Sequence, residues 1–280
     1  MDISLAISSC PNDTFSFYHF IHDAQPGLRI QPVFLDIEEL NRGMLRGEWD
    51  IVKASFPVAI KVRDKYNLMR SGSALGFGVG PILIYKDKNL LQKKNWRVGL
   101  PGENTTAHFL WNYYVEQSEE LQETGFTKIQ MHFAQIMTKL ESGEIDAGVV
   151  IHEGRFEYEE KGFLLFKDLG EFWEKTAKAP VPLGGIFIHK QLPEDVKTHL
   201  EEALEKSIDQ AIEEKEKKDP VYETKIIPFI KKYSQALERS SIEQHIGYYV
   251  NRETQRMSEW GHMAVDKLWA QVESDLKKIK

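Results

Sequence analysis

Leu45-Arg46-Gly47-Glu48-Trp49-Asp50-Ile51-Val52 is echoed further along the chain by Leu140-Glu141-Ser142-Gly143-Glu144-Ile145-Asp146-Ala147-Gly148-Val149. Each copy reads as the end of a helix, a glycine stop, an acidic turn and an apolar strand that runs on into a loop. The leucine-to-glycine spacing differs by one residue between the copies, and Gly-x-x-Asp turns are common, so the echo alone leaves lobe duplication open. If it reflects duplication, Ser55 and His152 stand at corresponding strand ends of two similar lobes. Upstream of the first copy, Ser4–Ser8 reads as a buried strand that meets Pro11-Asn12-Asp13 and then an aromatic-rich helix. Leu28–Leu35 reads as a second strand, and Asp36 is placed to cap a helix carrying Leu40, Met44 and Leu45. Strand, helix, strand in this rhythm predicts an α/β fold with parallel pairing and right-handed crossovers.

Gly80–Tyr85, after a glycine-rich loop, and Gly184–His189, after Pro180-Val181-Pro182, read as strands joining two lobes. They predict discontinuous domains, with residues 1–85 plus 184–280 forming a larger lobe and residues 86–183 a smaller one. From Pro193 onward the chain reads as helix. Val196, Leu200, Leu204, Ile208 and Ala211 form one stripe, and Val265, Leu268, Trp269, Val272 and Leu276 form another after a Ser258 cap. These stripes are read as core packing, and the Glu213–Asp219 charge run as a solvated helix end.

The totals narrow the function classes. The 280 residues are 41% apolar and 28% charged, with a formal charge of −7. That balance argues against nucleic acid or an anionic membrane as the main partner. No stretch approaches the roughly 18–20 apolar residues of a membrane helix, and the first residues lack the pattern of a signal peptide, so a cytoplasmic location is expected. The single cysteine, Cys10, excludes an intrachain disulfide and a cysteine-rich metal site. The histidines show no ligand spacing, so no metal is expected.

Ligands of open parallel sheets bind at the carboxyl ends of the strands, and four loops qualify. Ser8 to Thr14 leads a strand into a helix whose first N–H groups favour an anion, with Asn12 as a candidate contact; Asn12, Asp13 and Thr14 are equally capping types. No histidine neighbours Cys10 in sequence, so a nucleophilic role is not expected there. Lys53-Ala54-Ser55 closes a strand: Ser55 either caps the next helix or bonds an anion, and Lys53 either adds charge or lies outside the cleft. Pro101 to His108 offers Gly102 for close backbone approach and Thr105 and Thr106 beside a helix start, without the Gly-Lys-Ser/Thr ending of a nucleotide-binding loop. Gly76 to Pro81 lacks dinucleotide-binding spacing and suits a hinge or a backbone wall. The fourth loop carries the sharpest residue: the apolar strand Asp146–Ile151 empties into His152-Glu153-Gly154-Arg155. A histidine there suits general-base work, with Glu153 orienting it or pairing with Arg155; a histidine that merely ends a strand is the alternative.

In order, Ser9-Cys10-Pro11-Asn12-Asp13-Thr14-Phe15, Ala74-Leu75-Gly76-x-Gly78-Val79-Gly80-Pro81, Pro101-Gly102-x-x-Thr105-Thr106-Ala107 and Ile151-His152-Glu153-x-Arg155-Phe156 resemble the 1,4-dihydroxy-6-naphthoate synthases of the futalosine route to menaquinone. The likeness extends through Pro182-Leu183-Gly184 and Tyr249-Val250-Asn251. It implies a two-lobed, periplasmic-binding-protein type II-like α/β fold with a ligand cleft between lobes and a helical C-terminal tail. It implies a carbon–carbon lyase acting on cyclic dehypoxanthinyl futalosine, a small anionic substrate, with His152 as base and no cofactor needed. Thr105, Thr106 and Ala107 carry over as ligand contacts, and Ser55 with them. Two other readings stand beside it: a non-catalytic binding protein for a small carboxylate, and a chorismate dehydratase of the same fold.

Overall fold

The computed structural model describes residues 1–152, 154–234 and 238–278. Its chain divides into two compact units. The first comprises Met1–Leu75 with Pro182–Trp269, and the second comprises Gly76–Val181 with Ala270–Lys280.

The first unit contains β1 (Asp2–Ser8), β2 (Arg29–Leu35), β3 (Ile51–Ser55), β4 (Tyr66–Leu68) and, at its boundary, β5 (Ala74–Gly76). The second contains β6 (Ile82–Tyr85), β7 (Trp96–Leu100), β8 (Phe126–Gln130), β9 (Ala147–Val150) and β10 (Leu164–Asp168), after which β11 (Val181–His189) returns to the first sheet. The first sheet has the order β2-β1-β3-β11-β4, with β5 also paired to β11; the second has the order β10-β6-β9-β7-β8. In the first, β1 pairs parallel with β2 and β3, and β11 runs antiparallel beside β3. In the second, β7 pairs parallel with β8 and β9, and β6 runs antiparallel beside β9. The two sheets therefore share one topology, in which β3 and β9 are equivalent strands. Ser55 ends the first, and His152 follows the end of the second.

The repeated Gly-x-x-Asp turn sets this topology. The helix Ile37–Arg46 begins with Asp36 and Glu39 in a reciprocal capping box and stops at Gly47, whose φ of +77° favours glycine. Gly143 (φ +71°) makes the same turn after the helix Ile136–Glu141. Three residues on, each aspartate reaches the neighbouring first strand. Asp50 Oδ2 accepts the Ser4 backbone N–H at 2.9 Å and the Ser4 hydroxyl at 2.7 Å. Asp146 Oδ2 accepts the Arg97 backbone N–H at 2.9 Å and its Nε at 3.0 Å. The Arg97 guanidinium holds the Asp146 carboxyl well below the ordinary carboxylate range, against the opposing effect of its partial burial.

Apolar burial then completes each unit. Ile3, Leu5, Ile7, Ile51, Ile186 and Ile188 pack from the first sheet against Phe17, Phe20, Leu200, Leu204 and Ile208. The stripe on the helix Glu194–Glu216 thus faces the core, as its spacing requires. The aromatic-rich helix expected after Pro11-Asn12-Asp13 is instead two short helices, Pro11–Ser16 and Tyr18–His22, which meet at Phe17. In the second unit Ile82, Ile84 and Val150 pack on Ile136, Leu140 and Ile145. Ser258 caps the last helix, accepting the Gly261 N–H at 3.1 Å.

Charge-assisted hydrogen bonds of this kind contribute about 1.5–3 kcal/mol each. Asp50→Ala is therefore expected to lower stability by about 2 kcal/mol in equilibrium urea unfolding. An unchanged midpoint would show that the aspartate does not hold β3 against β1.

Candidate active site

The carboxyl edge of the first sheet is built around a buried ion pair. Lys53 and Asp13 are only 5% and 3% exposed, and Lys53 Nζ lies 3.0 Å from Asp13 Oδ1. Lys53 also donates to the Gly72 carbonyl at 3.2 Å. Asp13 accepts the Ser8 hydroxyl at 2.6 Å and the Asn12 side-chain amide at 2.9 Å. Of the two sequence possibilities for Lys53, charge at the ligand or a place behind it, the geometry shows a lysine whose charge is matched by Asp13. The pair ties the Pro11 turn to β3, and Asn12 belongs to the same network.

Ser55 is 2% exposed and occupies the N-cap position of the short helix Phe56–Ala59, yet makes no side-chain cap bond. Asn41, fully buried on the preceding helix, holds it instead. Asn41 Oδ1 accepts the Ser55 backbone N–H at 2.8 Å, and Asn41 Nδ2 donates to Ser55 Oγ at 3.1 Å. Because the backbone N–H can only donate, the orientation of the Asn41 amide is fixed. The Ser55 oxygen is thereby used as an acceptor, and its proton remains for donation. Cys10, at the end of β1, lies with its Sγ within 4.8 Å of a ring nitrogen of His245. His245 is buried on the helix Arg239–Tyr249, its ring 4.7 Å from that of Tyr249. The sequence hides this neighbour because the two residues lie near opposite ends of the chain.

In the second unit the helix Thr106–Glu116 begins at the carboxyl end of β7. Thr105 is its N-cap: the hydroxyl donates to the Gly102 carbonyl at 2.7 Å and accepts the His108 N–H at 3.2 Å. Thr105 thus shapes the helix start, and Thr106 and Ala107 form its first turn, 4% and 3% exposed. His152 follows the end of β9, which is parallel and adjacent to β7, so the histidine and the helix start share one edge of one sheet. Its backbone has φ +53°, the left-handed region that residues other than glycine rarely adopt. Its ring centroid is 4.8 Å from that of Phe133 at a tilt of 58°. Glu153 lies outside the described residues. Arg155 pairs with Asp168 at 2.6 Å.

His108, which local sequence gives no reason to single out, locks the loop before the helix. Its Nδ1 faces the Gln130 amide nitrogen at 2.8 Å, and the ring also bonds the Pro101 backbone. Burial, reinforced by the charge of Lys128, pushes its pKa down to about 4. The unfolded chain takes up this proton near pH 6.5 and the folded protein only near pH 4. Stability from the neutral ring is therefore full above pH 6.5 and is lost as pH falls toward 4, by up to roughly 3 kcal/mol. His108→Gln should remove that part of the acid slope in urea titrations at pH 4 to 7; an unchanged slope would contradict the assignment.

Against known proteins, a family model described as menaquinone biosynthesis matches residues 3–274. A 1,4-dihydroxy-6-naphthoate synthase from Thermus thermophilus is 34% identical over 97% of this chain and 94% of its own length. One from Streptomyces coelicolor is 33% identical over 94% of this chain and 90% of its own. Among solved structures, a protein from Archaeoglobus fulgidus has a TM-score of 0.86 at 31% identity, covering 98% of this chain and 97% of that one. The alkanesulfonate-binding protein of Xanthomonas axonopodis pv. citri has a TM-score of 0.66 at 11% identity, over 89% and 84% of the chains. That likeness concerns the fold, which is periplasmic-binding-protein-like. Among the described residues no helix is long and apolar enough to cross a membrane. With its topology, its motifs and near-full-length relatives in agreement, the chain belongs to the menaquinone-biosynthesis family of enzymes.

Proposed function

We propose that this enzyme is a carbon–carbon lyase that converts cyclic dehypoxanthinyl futalosine to 1,4-dihydroxy-6-naphthoate, with His152 as the general base, and that it works in the cytoplasm. The observation that carries the reading is the position of His152: past the end of β9, in a left-handed backbone, beside the strand that opens the helix Thr106–Glu116. Residues in sparsely populated backbone regions cluster where chemistry is done. The relatives of the same name match over nearly the whole chain, and biosynthetic relatives favour a cytoplasmic site.

In this mechanism His152 removes a proton from the sugar-derived part of the substrate. The electron pair left behind drives carbon–carbon cleavage, a small fragment departs, and the remaining ring system becomes aromatic. Aromatisation supplies much of the driving force. The protein has three tasks: to hold the substrate carboxylate, to keep water away, and to place the base within about 3 Å of the proton. Backbone N–H groups at the start of the Thr106–Glu116 helix favour an anion through their dipole, and Thr105 keeps that start in shape. Thr105, Thr106 and Ala107 are the candidate contacts of the second unit. In the first unit Ser55 offers a hydroxyl donor set by Asn41, and Asn12 is a further candidate. Lys53 acts from behind, by holding the Asp13 turn.

The test is to incubate the purified protein with cyclic dehypoxanthinyl futalosine and follow dihydroxynaphthoate by chromatography and mass. Wild-type protein should form it, and His152→Ala should lose about 10²–10⁴-fold in kcat, the range of a general base. No product from the wild type would refute the substrate, and full activity of His152→Ala would refute the base. Turnover of chorismate instead would favour the dehydratase reading.

A further inference from the structure

We propose that Arg155 is a positioning residue that latches His152 in its working conformation by tying the chain beyond it to the glycine-rich loop. The inference rests on His152 being the base and gives a role to two motifs, Gly76–Pro81 and the arginine after His152, that the mechanism leaves unused.

A left-handed backbone at a residue with a Cβ is sterically costly and persists only where its surroundings over-determine it. At His152 we assign part of that restraint to Arg155. The Arg155 backbone N–H reaches the His152 carbonyl at 3.3 Å, closing the turn. Its guanidinium then spends its donors on three fixed acceptors: the Gly80 carbonyl at 2.6 Å, the Gly78 carbonyl at 3.2 Å and Asp168 Oδ2 at 2.6 Å. The side chain is only 14% exposed, and Asp168 balances its charge. Arg155 thus acts as a strap between the chain after His152 and the glycine-rich loop.

The anchor is rigid. Gly78 has φ +66°, and its N–H is held by Glu174 at 2.7 Å. Gly80 crosses Gly170 so closely that a Cβ on Gly80 would lie 2.9 Å from the Gly170 Cα, and one on Gly170 would lie 3.0 Å from the Gly80 Cα. The Leu169 N–H bonds the Pro81 carbonyl at 3.0 Å. Glycine is needed at positions 80 and 170 for this contact, and the contact aims the loop carbonyls that the arginine reads. Lysine cannot replace the fork, because a single ammonium does not reproduce the spread of donors that a planar guanidinium offers to two carbonyls and a carboxylate.

Arg155→Lys and Arg155→Ala test the latch by steady-state kinetics and by hydrogen exchange of the backbone amides at residues 154–156. Displacing a base by about 1 Å costs on the order of 10²-fold. Arg155→Lys should therefore lower kcat by about that factor with KM within twofold, and exchange at residues 154–156 should quicken. Added guanidinium should restore part of kcat in Arg155→Ala. Wild-type kcat in Arg155→Lys, or a loss confined to KM, would overturn the proposal. Should wild-type protein not turn over the substrate, the substrate assignment fails separately; unchanged exchange in Arg155→Lys would then still refute the latch, and quickened exchange would support it.

Discussion

Register between the first and third strands of each sheet is the constraint on which the rest of the structure depends. A parallel strand can slide along its neighbour in two-residue steps without changing which face its side chains occupy, so burial alone does not fix where it ends. Asp50 and Asp146 fix it by reaching from the turn before the third strand to a backbone N–H of the first. With that pairing set, β3 must end at Ser55 beside the Cys10–Pro11 turn. β9 must likewise deliver His152 beside the start of the Thr106–Glu116 helix. The candidate active residues are thus placed by two carboxylates at the opposite edges of the sheets from where those residues act.

Each unit then stabilises its carboxyl edge with different chemistry. The first uses a desolvated ion pair, Lys53 with Asp13, whose remaining valences go to Ser8, Asn12 and the Gly72 carbonyl. Such a pair adds little net stability over an apolar substitute, but an unpaired member is very costly, so it enforces one arrangement of the turn. The second unit uses a neutral imidazole. His108 bridges the Pro101 loop to Gln130 and resists protonation because its surroundings exclude water and include Lys128. Two histidines at one sheet edge therefore take opposite parts: His108 is locked in a bonded interior, and His152 stands partly open in a strained turn.

Local pattern made much of this legible. The Gly-x-x-Asp echo marks the shared topology, Asp36 and Ser258 cap as their positions require, and the leucine stripe of the Glu194–Glu216 helix faces the core. Each of these signals is written within a few residues. What stayed hidden depends on partners far apart in the chain. Nothing near Ser55 announces that Asn41 will take both its N–H and its oxygen, and nothing near Cys10 announces His245. Arg155 reads in sequence as a partner for Glu153; only the folded second unit brings it Gly78, Gly80 and Asp168. The glycine-rich loop looked like a hinge because glycine permits flexibility, whereas here it also permits close packing against Gly170. Composition and period specify elements, and they do not specify which buried polar group meets which.

Whether the imidazole of His152 itself moves the proton is the point on which the functional reading stands. The direct measurement is chemical rescue: the rate of dihydroxynaphthoate formation by His152→Ala with increasing imidazole and substituted imidazoles of graded basicity. A base lost from the end of β9 predicts a rate that rises with added imidazole and follows its basicity. A rate that ignores added imidazole of every basicity, in a variant that is folded and binds substrate, would contradict it.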